Sequence, residues 1–255
     1  VGASGAYTSL SNLALVLNGC PIQGPTVVEL QSDYSNSSET YPIVFNNNSN
    51  GSAVNTITIR PASTVVSDLL IGGLAANASV IDLSGARNYI IDGRPGGSGT
   101  TTFAAPSTTA SAVRFVNGAS NNVLRYTKLN AAGGSTTGIV NFSTTSTVGN
   151  SNNTVEYNTF NGFFDAASFA VNGVYSAGTI GFENVSNTIS NNAISNCTGS
   201  GITIQSGSSA WTVDANSVFN TINVTYGNSA GTIYGMIIDG TGTGTGYTVT
   251  NNFIG

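Results

Sequence analysis

The side chains that could do acid–base chemistry are few in this chain, and their types exclude several classes of enzyme. The 255 residues include no histidine, six lysines and arginines, and eleven carboxylates. Ser-His and Cys-His nucleophiles and His-ligated zinc are therefore excluded. A lyase that abstracts a proton beside a calcium-bound uronate could use an arginine or a lysine as its base, and the available residues are Arg114, Arg125 and Lys128.

Carboxylates are the other groups that could carry out catalysis, because glycoside hydrolases use a pair of them about 5 to 9.5 Å apart. Those of the repeat region are scattered, without an Asp-Asp or Asn-x-Asp cluster: Asp68, Asp82, Asp92, Glu156, Asp165, Glu183, Asp214 and Asp239. The repeat places Arg125 beside Glu156 in the next coil, and Asp82 beside Arg114 in the same manner. Such pairs favour a structural role over catalysis. The sequence therefore predicts no catalytic residue, no cofactor and no metal site.

Aromatic residues are the candidates for ligand binding. Tyr126 and Tyr157 occupy equivalent positions in successive repeats, Tyr175 lies on the second strand of its repeat, and Trp211 replaces the asparagine that opens other repeats. If these rings point outward, they could stack on sugar rings. If they point inward, they fill the core and satisfy their polar atoms at a bend. Both interpretations stay open, and the four residues form the candidate glycan-stacking set.

A recurring phrase of eight residues determines how these side chains are positioned. Copies of it begin at Asn55, Asn88, Asn122, Asn153, Asn187, Trp211 and Tyr247, at intervals of 24 to 36 residues. A period in this range indicates a stacked solenoid. Two apolar columns must face inward, one made of Leu124, Val155, Ile189, Val213 and Val249, the other of Leu129, Phe160, Ile194, Val218 and Ile254.

Asparagine recurs between these two apolar columns, at Asn158, Asn192, Asn216 and Asn252, with Thr127 in its place in one coil. Side-chain amides stacked at the strand repeat can hydrogen-bond along the stack, which satisfies polar groups at a buried bend. The sequence predicts a structural asparagine ladder here.

A second strand in each coil completes the fold prediction. It is visible as alternating apolar residues at 81–83, 113–115, 140–142, 202–204 and 236–238. Strand, bend and strand units without an intervening helical pattern predict an all-β fold, a right-handed single-stranded parallel β-helix (solenoid). Residues 54–255 form its coils, which we expect to continue beyond residue 255.

Residues 1–53 are predicted to form an N-terminal cap, with a short capping helix over 8–18 followed by the first strands. Thr8 or Ser9 can cap this helix, Gly19 can end it in a left-handed conformation, and one apolar face consists of Leu10, Leu13, Ala14 and Leu17. Open solenoid ends expose core residues and strand edges, so a helix that covers the end is favoured over an ordinary surface helix.

Composition excludes some partners. Only 7% of the residues are charged and the net charge is -5, so the chain offers no basic patch for nucleic acid. No apolar run approaches the ~20 residues that span a bilayer, which argues against direct membrane insertion.

Cys20 and Cys197 lie about five coils apart by the repeat. That separation predicts two separate buried thiols rather than a disulfide.

The repeats carry a resemblance to known proteins. The phrase Asn-Asn-x-(Val/Ile)-x-x-Asn-x-(Phe/Ile) resembles the parallel β-helix repeats of the pectate-lyase-like superfamily. More narrowly, four segments are similar to large secreted surface proteins of Bacteroidetes that a type IX system exports: TITIRP at 56–61, IIDGRPGG at 90–97, WTVDANS at 211–217 and YTVTNNFIG at 247–255. The resemblance implies a secreted or cell-surface location but no single activity, because that superfamily contains lyases, hydrolases, adhesins and passive stalks.

Together these observations favour a non-enzymatic extracellular segment of a larger secreted or cell-surface protein, a stalk or adhesin that binds a glycan or a surface. The alternative is a polysaccharide lyase or glycoside hydrolase of the pectate-lyase-like superfamily. The expected partners are a polysaccharide or surface glycan and further coils or domains of the same polypeptide. Ice binding would need a regular outward threonine column, and the aligned outward residues are mixed: Thr58, Ile91, Arg125, Glu156, Ser190, Asp214 and Thr250.

Overall fold

The chain winds into a parallel β-solenoid, which confirms the predicted all-β fold with a short N-terminal helix. The computed structural model describes residues 1–72, 78–94, 101–105, 110–143, 147–165, 168–222, 232–239 and 244–255. The last three residues of the segment 90–97 lie outside this part. A complete coil contributes one strand to each of three parallel sheets, which we call A, C and B in the order in which a coil visits them.

Sheet A has eight strands: Thr26–Leu30, Ile57–Pro61, Tyr89–Asp92, Val123–Arg125, Thr154–Glu156, Thr188–Ser190, Thr212–Asp214 and Thr248–Thr250. Sheet C has seven strands: Leu69–Gly72, Thr101–Ala105, Lys128–Ala131, Thr159–Asn161, Ala193–Ser195, Ser217–Phe219 and Phe253–Ile254. Sheet B also has seven: Ile43–Asn46, Ile81–Ser84, Val113–Val116, Gly138–Ser143, Asn172–Ala177, Ser200–Ile204 and Tyr234–Ile238. Two short pairs of strands lie outside these sheets. Phe163–Asp165 pairs with Ser168–Phe169 in antiparallel orientation, and Asn184–Val185 pairs with Ser208–Ser209 in parallel orientation.

The N-terminal helix spans Leu10–Gly19 and packs its apolar face on the first strand of sheet B. Ser9 caps it by accepting a hydrogen bond from the amide of Asn12, and Leu10, Leu13, Ala14 and Leu17 are buried as predicted. The predicted left-handed end at Gly19 is wrong, because Gly19 is still helical and the extended Cys20 closes the helix with its amide on the Val16 carbonyl. A 3-10 helix follows at Asn36–Ser38. No helix of the described residues is long and apolar enough to cross a membrane.

The bend between sheets A and C has the same backbone conformation in five coils. It consists of two residues, and the first of them has a φ of 54 to 55° in every case: Tyr126, Tyr157, Asn191, Ala215 and Asn251. This left-handed region is costly for residues with a Cβ atom. Backbone hydrogen bonds between coils hold this conformation in place. The backbone amide of Tyr157 donates to the Ser190 carbonyl (3.2 Å), and that of Asn191 donates to the Asp214 carbonyl (3.0 Å).

The interior consists of the inward columns of the three sheets. The predicted apolar columns lie inside through Val213 and Val218, and Leu124, Val155 and Phe160 are fully buried. The last member of each column is not buried, since Val249 is 47% exposed and Ile254 is 56% exposed. Sheet B contributes aromatic rings, with Phe115 and Phe142 stacked in parallel at a centroid distance of 4.4 Å. Because each coil repeats the same inward positions, the core continues from one coil to the next and leaves the outward columns free to vary.

Candidate functional site: the tyrosine platform between sheets A and C

The predicted asparagine ladder is present at the second position of this bend, and it explains how the bend is held. The Asn192 Oδ1 atom accepts hydrogen bonds from the amide (3.0 Å) and the Nδ2 group (3.1 Å) of Asn158. Asn216 accepts the same two bonds from Asn192, at 3.1 and 3.0 Å. At one end Thr127 donates its amide and hydroxyl to Asn158, and at the other Asn216 donates to Asn252. The ladder is therefore structural.

Two further ladders lie at other bends, and the sequence analysis missed them. Asn122, Asn153 and Asn187 are fully buried at the bend from sheet B to sheet A, and each Nδ2 group in the first two donates to the next Oδ1. Asn150 donates to Asn184 in the same way (2.9 Å). The signal was available, because three copies of the repeated phrase begin with Asn122, Asn153 and Asn187.

Trp211 continues the column of Asn187 and points into the core. Its side chain is fully buried, its Nε1 group donates to the Asn184 carbonyl (2.8 Å), and its ring lies edge-on to Phe142. Tyr89 occupies the equivalent position at the other end of this column and is also fully buried. An aromatic ring that replaces a ladder asparagine fills the same interior space, so Trp211 does not belong to the glycan-stacking set.

Tyr126 and Tyr157 form an exposed aromatic stack on the outside of the A–C bend. Their rings are nearly parallel (3°) with centroids 5.0 Å apart, and Tyr157 is 46% exposed. The Arg94 Cζ atom lies 3.1 Å from the centroid of the Tyr126 ring. We call Arg94, Tyr126 and Tyr157 the tyrosine platform. The order of the coils gives the order of the stack, with Arg94 first, Tyr126 in the middle and Tyr157 last.

Glycine is required where the platform begins. Gly93 occupies the bend position that Tyr126 and Tyr157 take in the next two coils, and its amide donates to the Arg125 carbonyl (2.9 Å). A Cβ atom at Gly93 would lie 2.0 Å from the Tyr126 carbonyl oxygen, closer than any side chain can pack. This close approach lets the chain place Arg94 beside the Tyr126 ring.

Tyr175 does not join the platform. It lies on the outward face of sheet B, paired with Asn141 and Thr203 in the neighbouring coils, and its side chain is half-buried. Burial raises the pKa of its hydroxyl above the ordinary tyrosine value. Of the four candidate stacking residues, the structure thus brings two together, separates Tyr175 and buries Trp211.

An outward column of alternating charge runs along sheet A beside the platform. Its members in coil order are Glu29, Arg60, Asp92, Arg125, Glu156, Ser190, Asp214 and Thr250. The closest contact of Arg125 is with Asp92, with 2.8 Å between Nε and Oδ2, whereas its Nη1 group lies 3.9 Å from Glu156. The predicted neighbour Glu156 is therefore confirmed as a partner of Arg125, and Asp92 is a second and closer partner that was not predicted. Asp92 also lies 3.6 Å from the Nε group of Arg94.

The three side chains considered as lyase bases are all held by carboxylates. Besides the contact of Arg125 with Asp92, Arg114 pairs with Asp82 as predicted, and Lys128 lies 2.5 Å from Asp68. The hydrogen bond that Arg114 donates to Asp82 is the main cause that raises the pKa of Arg114, the opposite of what a general base requires. Among the described residues, no group of three or more Cys, Asp and Glu side chains is arranged to hold a metal ion.

A second outward column of sheet A contains threonines and corrects the alignment used for ice binding. Thr58 pairs with Ile90, not with Ile91, which is inward and 2% exposed. This column is Val27, Thr58, Ile90, Val123, Thr154, Thr188, Thr212 and Thr248. The charged column lies beside it on the same face, so the face has no uniform hydroxyl lattice and we do not propose ice binding.

The two cysteines are separate, as predicted, but only one is buried. Cys20 is exposed at the end of the helix and Cys197 is buried, and both are free thiols. Burial raises the pKa of Cys197 to about 12, so this thiol stays protonated and unreactive in the folded protein. The predicted burial of Cys20 is wrong because the residue follows the helix on its solvent side.

Comparisons with known proteins do not identify a family. The chain matches no protein-family model, and neither the comparison with curated proteins nor that with solved structures finds a match. The β-solenoid is established by its own strand pairing. The resemblance to pectate-lyase-like repeats and to Bacteroidetes surface proteins stays an expectation from the sequence.

Proposed function

We propose that this chain is a non-enzymatic extracellular segment of a larger secreted or cell-surface protein, a stalk or adhesin that binds a glycan through the tyrosine platform. The observation that carries the proposal is the ring of Tyr157, which is 46% exposed and is the last ring of the stack. The location rests on the resemblance and on the polar, weakly charged composition.

Tyr157 is the last ring of the stack, and no aromatic side chain at the following two bends covers its outer face. One face of the Tyr126 ring meets Arg94 and the other meets Tyr157. In the coils that follow, the equivalent bend residues are Asn191 and Ala215, which have no ring to continue the stack. A sugar ring presents C–H groups on its face, and an aromatic ring offers an apolar surface that such groups can cover. A sugar on Tyr157 would continue the stack at the level of Asn191.

Rigidity of the platform supports binding. Tyr126 and Tyr157 are fixed at their backbones by the left-handed bend and at their rings by mutual stacking. A ligand that meets preorganised side chains loses less free energy to ordering than one that must immobilise them. The regular coil spacing would also place successive outward residues along an extended polymer.

The alternative of a polysaccharide lyase receives less support. Arg114, Arg125 and Lys128 each contact a carboxylate, and the raised pKa of Arg114 makes it a poorer base. These contacts favour the non-enzymatic proposal.

The test compares binding of the parent and three variants to a panel of insoluble and soluble polysaccharides, by sedimentation and affinity electrophoresis. We expect Tyr157→Ala to weaken binding by about tenfold, equivalent to ~1.4 kcal/mol, and Tyr126→Ala to weaken it less because its faces are already covered. Tyr234, which is 50% exposed on sheet B, supplies the matched control Tyr234→Ala with parent affinity. A parent that binds no polysaccharide, or a Tyr157→Ala variant that binds like the parent, would refute the proposal.

A further inference from the structure

The carboxylates nearest to the outer face of Tyr157 lie in its own coil and two coils further. Glu156 precedes Tyr157 in its own coil, Ser190 follows in the outward column of the next coil, and Asp214 lies one coil further. Neighbouring strands lie about 4.8 Å apart. A sugar ring stacked on Tyr157 would therefore occupy the level of Ser190, between the carboxylate of Glu156 on one side and that of Asp214 on the other.

The first four charges of this region balance. Arg94 and Arg125 both contact Asp92, at 3.6 and 2.8 Å, and Arg125 also lies 3.9 Å from Glu156. Two arginines thus face two carboxylates. Both arginines belong to coils that precede Tyr157, and the Tyr126 ring lies between Arg94 and Tyr157. No net positive charge is left at the free face to attract an anionic sugar.

Asp214 is a surplus negative charge. No cationic side chain of the described residues lies within 4 Å of it. Its Oδ1 atom accepts hydrogen bonds from the Thr250 hydroxyl (2.6 Å) and from the Nδ2 group of Asn251 (2.9 Å). These two bonds lower the pKa of Asp214, so the carboxylate is ionised at neutral pH. Its Oδ2 atom accepts no hydrogen bond from the described part of the chain and is free to receive one from a ligand.

We propose that the tyrosine platform binds an amino sugar with a free ammonium group, and that it discriminates against uronates. This inference rests on the proposed glycan binding. The sugar ring covers Tyr157 and its ammonium donates to Asp214, forming a charge-assisted hydrogen bond. A uronate carboxylate in the same place would face Glu156 and Asp214, and the net charge of -5 repels polyuronates at longer range.

The experiment compares three oligosaccharides of equal length by calorimetric titration at moderate salt: oligoglucosamine with protonated amines, its N-acetylated form, and oligogalacturonate. We expect the parent to bind oligoglucosamine roughly fivefold more tightly than the N-acetylated form and to show no binding of the uronate. Asp214→Asn should remove the preference for the ammonium form and leave the affinity for the N-acetylated form unchanged. Tyr157→Ala should weaken both.

Asp33→Asn is the matched control, because Asp33 is also an exposed carboxylate whose pKa is lowered by a hydroxyl, here that of Ser4. If Asp33→Asn removed the preference as completely as Asp214→Asn, the attraction would be one of net charge and the inference would be overturned. Equal affinity for the two hexosamine forms, or binding of the uronate, would also overturn it. Tyr157-dependent binding in either case would leave the proposed function standing, whereas no binding of any sugar would refute both.

Discussion

Replacing Asn192 by leucine tests whether the asparagine ladder stabilises the solenoid. Asn192 is 2% exposed, and its side chain takes part in four hydrogen bonds: two from Asn158, one to the Val155 carbonyl (2.9 Å) and one to Asn216 (3.0 Å). Leucine has a similar volume but offers no donor or acceptor. The substitution therefore removes the polar contacts without creating a large cavity.

The size of the effect follows from the groups that lose a partner. The backbone N–H group of Asn158 loses its acceptor, because its hydrogen bond goes to Asn192 Oδ1. The Asn158 Nδ2 group still donates to the Leu124 carbonyl (2.9 Å). Asn216 Oδ1 still accepts from the backbone amide of residue 192 (3.1 Å). The Val155 carbonyl also loses the bond from Asn192. One orphaned donor and three weakened groups should together cost about 2 to 4 kcal/mol, at ~1 to 3 kcal/mol for each buried group left unsatisfied.

Denaturant unfolding followed by Trp211 fluorescence measures this cost, since the only tryptophan lies buried one coil from Asn192. Thr188→Leu is the control, because Thr188 is outward on sheet A and makes no side-chain hydrogen bond to the described residues. Ser190, which the sequence marks as an outward position, is only 8% exposed and would be a poorer control. Equal free energies of unfolding for the Asn192→Leu and Thr188→Leu variants would refute the structural role of the ladder.

Four further predictions follow from the core, the thiols, the buried phenol and the paired bases. Val155→Ala should lower the free energy of unfolding by ~2 to 4 kcal/mol, because it truncates a fully buried side chain; no change in a denaturant titration would contradict the register. Cys20 should react with a thiol reagent at once and Cys197 only after unfolding, and rapid labelling of two thiols in the native protein would be the opposite outcome. Burial raises the pKa of Tyr89 to about 12, so its stabilising contribution is complete below the ordinary pKa of tyrosine, about 10, and is lost as pH rises through 12; a Tyr89→Phe variant should lose less stability than the parent over that range. Pectin and alginate should yield no unsaturated uronate products with or without calcium, and products that disappear in a folded Arg125→Ala variant would instead establish a lyase.

The inward half of the fold was predictable from the sequence because burial imposes a strict pattern. Val155 and Ile189 recur at the same place in each phrase, and stacking neighbouring coils is the way to bury them. Asn158 and Asn192 recur for the same reason, since a buried polar group needs a partner that repeats with the coil. The ladder was therefore predicted residue by residue, and so were the two apolar columns except for Val249 and Ile254, which are exposed.

The outward half was less predictable, because no burial constraint fixes its alignment. Thr58 was matched with Ile91 instead of Ile90, and this slip of one residue exchanges an outward position for an inward one. Glu156 was correctly placed beside Arg125, but the closer partner Asp92 was missed because the column was not extended back by one coil. The direction of an aromatic side chain at a bend posed the same problem, so that Trp211 and Tyr157 could not be told apart until their bends were known.

The common backbone of the A–C bend separates the residues that fold this protein from those that meet its surroundings. The first bend position holds tyrosine, asparagine or alanine with the same φ, because the ladder residue that follows it maintains the conformation. Side chains at Asn191 and Ala215 could therefore be exchanged for other unbranched side chains at little cost to the coil, and each exchange would alter what the corner presents. The first bend positions thus form a regularly spaced row of variable side chains. Ligand recognition can change at these positions, in evolution or by design, while the solenoid backbone stays the same.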